Sequence, residues 1–484
     1  MQLHIRRGMA LQRFIICVSG LSLSVSAHSA DLLDIYHQVQ ISDPTYAAAR
    51  YTLEATEQKI PQARAGLLPT VSINGTDNQT SALTTYTGTP PVQRDVNAWN
   101  WSLQLTQPLI RMQNLYAYRE SKSQVDAARA QFDQDQQDLI LRAAQAYFDV
   151  LVAQEGIVVA EAQVNAMDEQ WAQAKRGYET GVNAVTDMHE ARAKLEQARM
   201  QLIQAQNDLD DKRAALEQLT GIAPPHLAAL LPGVVLPGPL PQTVQPWANE
   251  AENNNPLVRQ QRMAMAVAEN EISRNRAEYL PTLDLTASHG GNYSSGSLTT
   301  PTDYATQGTS NQVGVQLTIP LINGGATGAK VKEAMANYYK AQAQLEEARR
   351  KAATDAKQAF SGVMNGLAKI AALKSAIASG VSAVKGNKVG YQAGIRINSD
   401  VLSAEQQLYT SRRDLVKAQY DVLLQGLKLK AAAGILGEAD VIAINEHLEK
   451  IAHDMVLQGL KLKAATSILG EVDNVTINAH LEQK

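Results

Sequence analysis

An internally duplicated α+β chain, two helix–hairpin–helix units in tandem, is what this sequence predicts. Three observations carry the prediction. The first is recurrence at a fixed distance. SLQLTQPLI at Ser102 returns as GVQLTIPLI at Gly314, 212 residues on, and at the same offset DPTYAAAR at Asp43 answers to NPLVRQQR at Asn255, and ARAGLLPT at Ala63 to NRAEYLPT at Asn275. After a one-residue slip between Ile110 and Gln145 the offset becomes 213, pairing QAYF at Gln145 with QAFS at Gln358 and GYETG at Gly177 with GYQAG at Gly390. A period this long marks a duplicated domain rather than a short solenoid repeat. The second observation is heptad spacing of apolar residues over long stretches, and the third is a pair of alternating, strand-like runs in each unit.

The chain opens with a secretory leader. Arg6, Arg7 and Arg13 precede an apolar run from Phe14 to Val25, followed by the small residues of VSAHSA, so residues 1–30 are expected to be removed. The single cysteine, Cys17, lies inside this leader behind Ile16, where lipid attachment would need a small residue; the mature chain then has neither thiol nor disulfide. Removing the leader takes away three Arg and no acid, so the net charge of −4 becomes −7 and gives no basic surface for nucleic acid. No later segment offers 18 uninterrupted apolar residues, so no membrane-spanning helix is expected.

The first unit spans 31–221. Asp43 before Pro44 is a helix start, an acceptor side chain ahead of a proline at the first helical position. That helix should reach Gly66 with a bend near Pro61. A hairpin over about 68–108 follows. Val71 and Ile73 alternate in its first strand, and Thr76 to Asp95 reads as a polar loop around Gly88, Pro90 and Pro91. Trp99, Trp101, Leu103 and Leu105 alternate in the return strand, which Pro108 should stop. Next comes a helix of about 65 residues, near 100 Å at about 1.5 Å per residue. Its seam is Leu139, Ala143, Ala146, Val150, Ala153, Ile157, Ala160, Val164, Met167 and Trp171. After GYETGVNAVTD the chain returns along Leu195, Leu202, Leu209 and Leu216.

A linker at 222–248 holds seven of the 17 prolines and cannot be one helix; it should pack on the side of the helical body. The second unit, 249–450, repeats the scheme. Its hairpin, about 280–320, uses Leu283 and Leu285, then Val313, Val315, Leu317 and Ile319 up to Pro320, across a long polar loop. Its outgoing seam runs Ala352, Ala356, Ala359, Val363, Gly366, Ile370, Leu373, Ile377, Gly380 and Val384, and its return seam Leu408, Leu415, Val422 and Leu429. Residues 451–484 form a tail in which the stretch from Val422 recurs 33 residues later from Met455, with Ser467 in place of Gly434. Truncation after Lys450 is expected to leave the body intact.

Four strands leave two open edges, a liability in water and more so in lipid. One chain cannot close a membrane barrel, which takes about eight strands or more; several chains could. Trp99 and Trp101 suit a lipid interface, with packing between sheets of a soluble protein as the alternative.

The paired LLPT/YLPT and QLTQPL/QLTIPL phrases and the paired GY-x-x-G turns, in this order from Asp31 to about Lys450, resemble the TolC family of outer-membrane channel proteins. The resemblance implies a membrane α+β fold: a trimeric 12-stranded outer-membrane β-barrel, four strands per chain, continuous with a long periplasmic α-helical coiled-coil tunnel. It also implies a homotrimer set in outer-membrane lipid, a periplasmic adaptor, and an inner-membrane ABC transporter or proton-driven pump. Without a lipid-attachment cysteine it leans toward type I protein secretion, with small-molecule efflux and a structural periplasmic coiled-coil protein as alternatives.

Residue by residue, GYQAGIRINSDVLSAEQQL resembles the family's gating stretch and supplies Tyr391, Arg396 and Asp400; GVNAVTDMHEARAKL resembles its partner and supplies Thr186 and Asp187. Ser403 stands where a second pore-facing acid is found in the family, leaving Asp400 as the single acidic-ring candidate. The competing reading of these acids is local, since Asp187 with Glu190 spells a capping box and Asp400 also lies at a helix start. Gly181, Val182, Gly394 and Ile395 match the tips that meet an adaptor, or are there because Gly permits a tight turn. The sequence has no HExxH, GxSxG or Cys/His cluster, and NGGATGAK at Asn323 lacks the GK[ST] ending of a phosphate loop, so no enzyme, cofactor or metal is expected.

Overall fold

The computed structural model describes residues 30–448 except 183, 225, 232 and 299–303. The expected leader, apart from Ala30, and the repeated tail lie outside the described residues. Helix α1 (Leu32–Ser42) starts at a capping box between Asp31 and Asp34. Asp43 caps α2 (Pro44–Glu57), its carboxylate accepting from the Thr45 amide. The bend expected near Pro61 falls at Gln58, before α3 (Lys59–Ala65). Pro61 has no N–H to give the carbonyl four residues back, which is Glu57, so the helix breaks one turn ahead of the proline.

Strands β1 (Thr70–Thr84) and β2 (Val92–Ile110) follow. The loop expected over 76–95 is therefore mostly strand, and the register is unbroken from Thr70↔Thr106 to Thr84↔Val92. These outer residues are mostly polar, and the few apolar ones, such as Leu83 and Val92, do not alternate, so no apolar alternation betrays the strand. Pro108 does not end β2 either. It cannot donate to the ladder, and the β2–β3 pairing shifts between Pro108 and Ile110 as a bulge.

Helix α4 (Met112–Glu179) has 68 residues, and α5 (Val185–Thr220) returns along it. The linker lies against the body: Leu227, Ala228 and Leu236 are buried. Two buried tyrosines hold it, Tyr147 of α4 donating to the Ala228 carbonyl at 2.6 Å and Tyr420 accepting from the Leu230 amide at 3.2 Å. The end of the expected linker is already helical, in α6 (Val244–Asn254). After α7 (Pro256–Arg276) come β3 (Thr282–Ser294) and β4 (Thr306–Thr318), again longer than the apolar alternation implies. Helices α8 (Ala326–Gln392, 67 residues), α9 (Asn398–Ala432) and α10 (Glu438–Asn445) complete the body.

The sheet is antiparallel in the order β1-β2-β3-β4, so the two hairpins join through β2 and β3 while β1 and β4 are open edges. The main core lies where the coils meet α1, α10 and the linker, around Tyr147, Phe148, Leu151, Val39, Leu424 and Val441. Along the coils the cores are narrow and rich in alanine, as at Ala348, Ala352 and Ala356, because small seam residues let helices approach closely. One 18-residue window of α8 has mean hydropathy 1.4 and is only 6% buried. Polar residues interrupt it, so a search for unbroken apolar runs passes over it.

Candidate functional site

Two regions hold the expected functional residues: the turns at the coil tips and the outward face of the sheet. At the first tip, the Gly181 amide donates to Tyr178 O at 3.0 Å and the Val182 amide to Gly177 O at 2.8 Å. At the second, Gly394 donates to Tyr391 O at 3.0 Å and Ile395 to Gly390 O at 2.8 Å. Both glycines are left-handed, with φ of +75° and +73°, the conformation that closes a helix end in this pattern. Each turn leaves one apolar side chain in the open: Val182 and Ile395 are both 80% exposed. Arg396 folds back over Gly390, where a Cβ would lie 2.8 Å from its Cγ.

The capping box expected of Asp187 and Glu190 is not formed. Helix α5 starts at Val185 with Ala184 as its cap, and α9 starts at Asn398 with Ile397 as its cap, neither giving a side-chain cap bond. Asp187 and Asp400 therefore sit inside the first turns, where a carboxylate faces the positive end of the helix dipole. Thr186 beside Asp187 is exposed and Tyr391 is half-buried. Arg396 Nη1 reaches Asp400 Oδ2 of its own hairpin at 3.4 Å, an exposed i,i+4 pair. Between the hairpins, Asn398 Nδ2 donates to the Asp187 backbone carbonyl at 3.4 Å. Asp187 thus joins the second hairpin through its main chain. Ser403 is exposed on α9.

Above the tips lies a link that sequence reading missed. Lys388 Nζ of α8 meets Glu405 Oε1 of α9 at 2.6 Å, and the Glu405 side chain is only 3% exposed. Burial pushes the Glu405 carboxyl above the usual range, Lys388 draws it down, and Glu169 of α4 pushes it up again. Nearby Lys194 of α5 donates to Gln406 Oε1 at 3.2 Å, and Asn387 to the Asp400 carbonyl at 3.2 Å. A small core of Met167, Ala191, Leu195, Ala198 and Leu402 holds the coils together at this level. One signal was available in the sequence. Glu405 lies three residues from both Leu402 and Leu408, a charged residue on an apolar seam.

In the sheet, partnered residues share a face. One face carries Val71, Ile73, Leu103, Leu105, Leu283, Leu285, Val313, Val315 and Leu317; the other carries Ser72, Asn74, Ser102, Gln104, Thr286, Ser288, Gln312 and Gln316. The apolar face is open, with Ile73 72% and Val313 76% exposed. Trp99 stacks on Tyr293 and Trp101 meets His289 edge-on at one end of the apolar residues. Gly291 makes room for the Trp101 indole, because a Cβ there would be 2.8 Å from Nε1. An apolar face ending in aromatics, backed by a polar face, is the pattern of strands between lipid and a water-filled lumen.

The sequence model of outer membrane efflux proteins matches residues 35–222 and 247–435, one stretch in each unit. The chain belongs to the outer membrane efflux protein family. Similar proteins include outer membrane protein TolC of Escherichia coli (strain K12), 31% identical over 448 residues and 90% of each chain. Alkaline protease secretion protein AprF of Pseudomonas aeruginosa is 33% identical, covering 90% of this chain and 91% of the relative. Cation efflux system protein CusC of Escherichia coli O6:H1 is 25% identical over 312 residues, 61% of this chain and 63% of the relative. Among solved structures, the outer membrane protein VceC of Vibrio cholerae superposes with a TM-score of 0.70 at 18% identity, over 83% of this chain and 96% of that one; this likeness bears on the fold alone. As a TolC-type member of the outer membrane efflux protein family, the chain is an efflux or secretion channel protein of the outer membrane that extends into the periplasm, not an enzyme.

Proposed function

We propose that three copies of the chain close one 12-stranded barrel and continue as a periplasmic tunnel, the exit duct of a tripartite type I protein secretion system. The observation that carries the reading is the sheet. Its β1 and β4 edges are unpaired and its apolar face is bare, a state that lipid does not tolerate until the edges close on further strands. The uncovered apolar window of α8 supports the same assembly, because a neighbouring coil would bury it.

In this reading Trp99 and Trp101 sit at the lipid interface, and the exposed Val182 and Ile395, set by Gly181 and Gly394, meet a periplasmic adaptor. Tyr391, Arg396 and Asp400, with Thr186 and Asp187, form the periplasmic constriction, which opens when an inner-membrane ABC transporter and the adaptor recruit the channel. Type I secretion is favoured by AprF, whose name records protease secretion and which matches over nine-tenths of both chains. Drug or ion efflux driven by a proton pump is the second reading, favoured by the likeness to CusC.

Deleting the gene and comparing secreted proteins with drug sensitivity separates the two. Loss of a secreted protein is expected. An unchanged secretome with sharply raised drug sensitivity would reverse the order. The mass of the purified channel in detergent tests the trimer.

A further inference from the structure

The body contains a seat filled by Val422–Leu448, and the sequence beyond it contains a second segment of closely similar sequence. Leu424, Leu427, Leu429, Leu436, Ile444 and Leu448 are buried in the first segment. At the offset of 33 their counterparts are Leu457, Leu460, Leu462, Leu469, Ile477 and Leu481, all unchanged. The residue types of the polar fastenings recur as well. Lys430 pairs with Asp440 at 2.5 Å, and Lys463 and Asp473 stand at the matching positions of the sequence. Asn445 Oδ1 accepts from the Leu32 amide at 3.1 Å, and Asn478 stands at the matching position. Leu231 donates to the His447 carbonyl at 3.0 Å, and His480 matches His447. Two such segments on one chain raise a problem of register, since either could compete for the same place.

The differences fall where the seat is least forgiving. Gly434 has φ +75°, and a Cβ there would lie 2.3 Å from the Asn254 carbonyl oxygen, a backbone atom that no rotamer change can move; the second segment has Ser467. Ala433 is fully buried, and its counterpart is Thr466. Val441 is 1% exposed in the main core, and its counterpart is Asn474, an amide with two donors and an acceptor. The other changes are mild by comparison. Ala439, Ile442, Ala443 and Glu446, which become Val, Val, Thr and Ala, are exposed, while Val422 and Leu423 are exchanged for other apolar residues.

We propose that this seat, formed by α1, the linker, and the α6–α7 junction, accepts the first segment and rejects the second through Thr466, Ser467 and Asn474. These three residues give the chain a single register despite its duplicated end. The seat is an intramolecular binding surface whose selectivity rests on one left-handed glycine position and two dry side-chain positions. It does not depend on what the channel carries.

The test uses the full chain and one deletion. Removing 422–454 joins Asp421 to Met455 and offers the second segment to the seat in register. The deleted chain should give at least tenfold less folded protein in the outer-membrane fraction. The same deletion carrying Thr466→Ala, Ser467→Gly and Asn474→Val should restore both the amount and the circular-dichroism melting temperature of the parent. A deleted chain that accumulates and melts like the parent would overturn the proposal. So would failure of the triple reversion to restore it, because the discrimination would then lie elsewhere. A chain truncated after Lys450 keeps the first segment and should match the parent; if it does not, the second segment is part of the seat and the proposal also fails.

Discussion

Replacing Lys388 with methionine removes the ammonium group 2.6 Å from a carboxylate that is 97% shielded from water. The cost follows from which partner stays behind. Breaking a buried ion pair by removing one partner costs about 3–5 kcal/mol, because the remaining charge is uncompensated. Lys388 is itself partly exposed, so the lower end applies, about 3 kcal/mol, or about 100-fold in a local opening equilibrium. Glu405→Gln should cost far less, about 1 kcal/mol, because the freed lysine can turn its ammonium to solvent. The double variant should resemble Glu405→Gln. Amide hydrogen exchange across α8 and α9 near the tip reads these openings directly.

The pH dependence has a definite sign. Burial raises the Glu405 carboxyl, and loss of Lys388 raises it further. The penalty for burying the ionised form is full above the folded value and disappears below the unfolded value, about 4.3. The excess exchange of Lys388→Met over the parent should therefore shrink as pH falls from neutral toward that value. Equal protection in Lys388→Met and Glu405→Gln at neutral pH would refute the reasoning, since it would mean that Glu405 is not held as a buried charge.

Three further outcomes follow from the geometry. In planar bilayers Asp400→Ala should weaken cation selectivity; the Arg396–Asp400 pair is exposed, lies within one hairpin and is worth only about 0.5 kcal/mol, so Arg396→Ser with Tyr391→Phe should raise conductance while changing stability little. Unaltered conductance with a lower melting temperature would give these residues a purely local role. Burial alone would raise the Asp43 carboxyl, but Arg142 at 2.6 Å and the Thr45 amide hold it below the usual range. Its stabilisation is present above the ordinary carboxylate value and lost as pH falls through the depressed one; Asp43→Ala should cost about 2–4 kcal/mol in thermal unfolding, and Asp43→Asn, which keeps a cap, less. Gly291→Val should abolish sheet insertion by colliding with the Trp101 indole, and Trp101→Ala in the same chain should restore it; normal membrane yield of the single variant would contradict that packing.

What was legible in the sequence was whatever repeats with a period. Heptads marked α4, α5, α8 and α9, and alternation marked the apolar parts of all four strands. The polar ends of the strands were not legible, because residues such as Gln79 and Asn97 pair through backbone while both side chains stay exposed. The turns at Gly181 and Gly394 were readable, since a glycine after GY-x-x is what a left-handed helix end requires. The first turns beyond them were misread: capping depends on where the helix begins, and Ala184 and Ile397, with no acceptor side chain, take the positions that the acids were expected to hold. Asn398 and Lys388 give no periodic signal, and their partners lie across the chain fold.

The two units can also be read against each other, and the tips differ where their alignment is closest. At the 213 offset Tyr391, Gly394 and Asp400 match Tyr178, Gly181 and Asp187, so the turn and its first-turn acid are common property of both hairpins. The buried pair is not. Lys388 corresponds to Lys175, but Glu405 corresponds to Arg192, a reversal of charge at a matched helical position. Two cations in the first hairpin cannot form such a link; Lys175 instead lies over Trp171 and reaches toward Glu179 along its own helix, while Arg192 is exposed. Among the described residues the second hairpin has its outgoing and returning helices joined by a buried charge pair close to the tip, whereas the first has the exposed Arg199–Asp168 pair. The second hairpin's joining to the first there is different in kind: Leu402 packs among Met167, Ala191, Leu195 and Ala198, the Asn398 amide donates to the Asp187 backbone carbonyl, and Lys194 donates to Gln406. The reversal of charge between Glu405 and Arg192 thus distinguishes two otherwise matched tips.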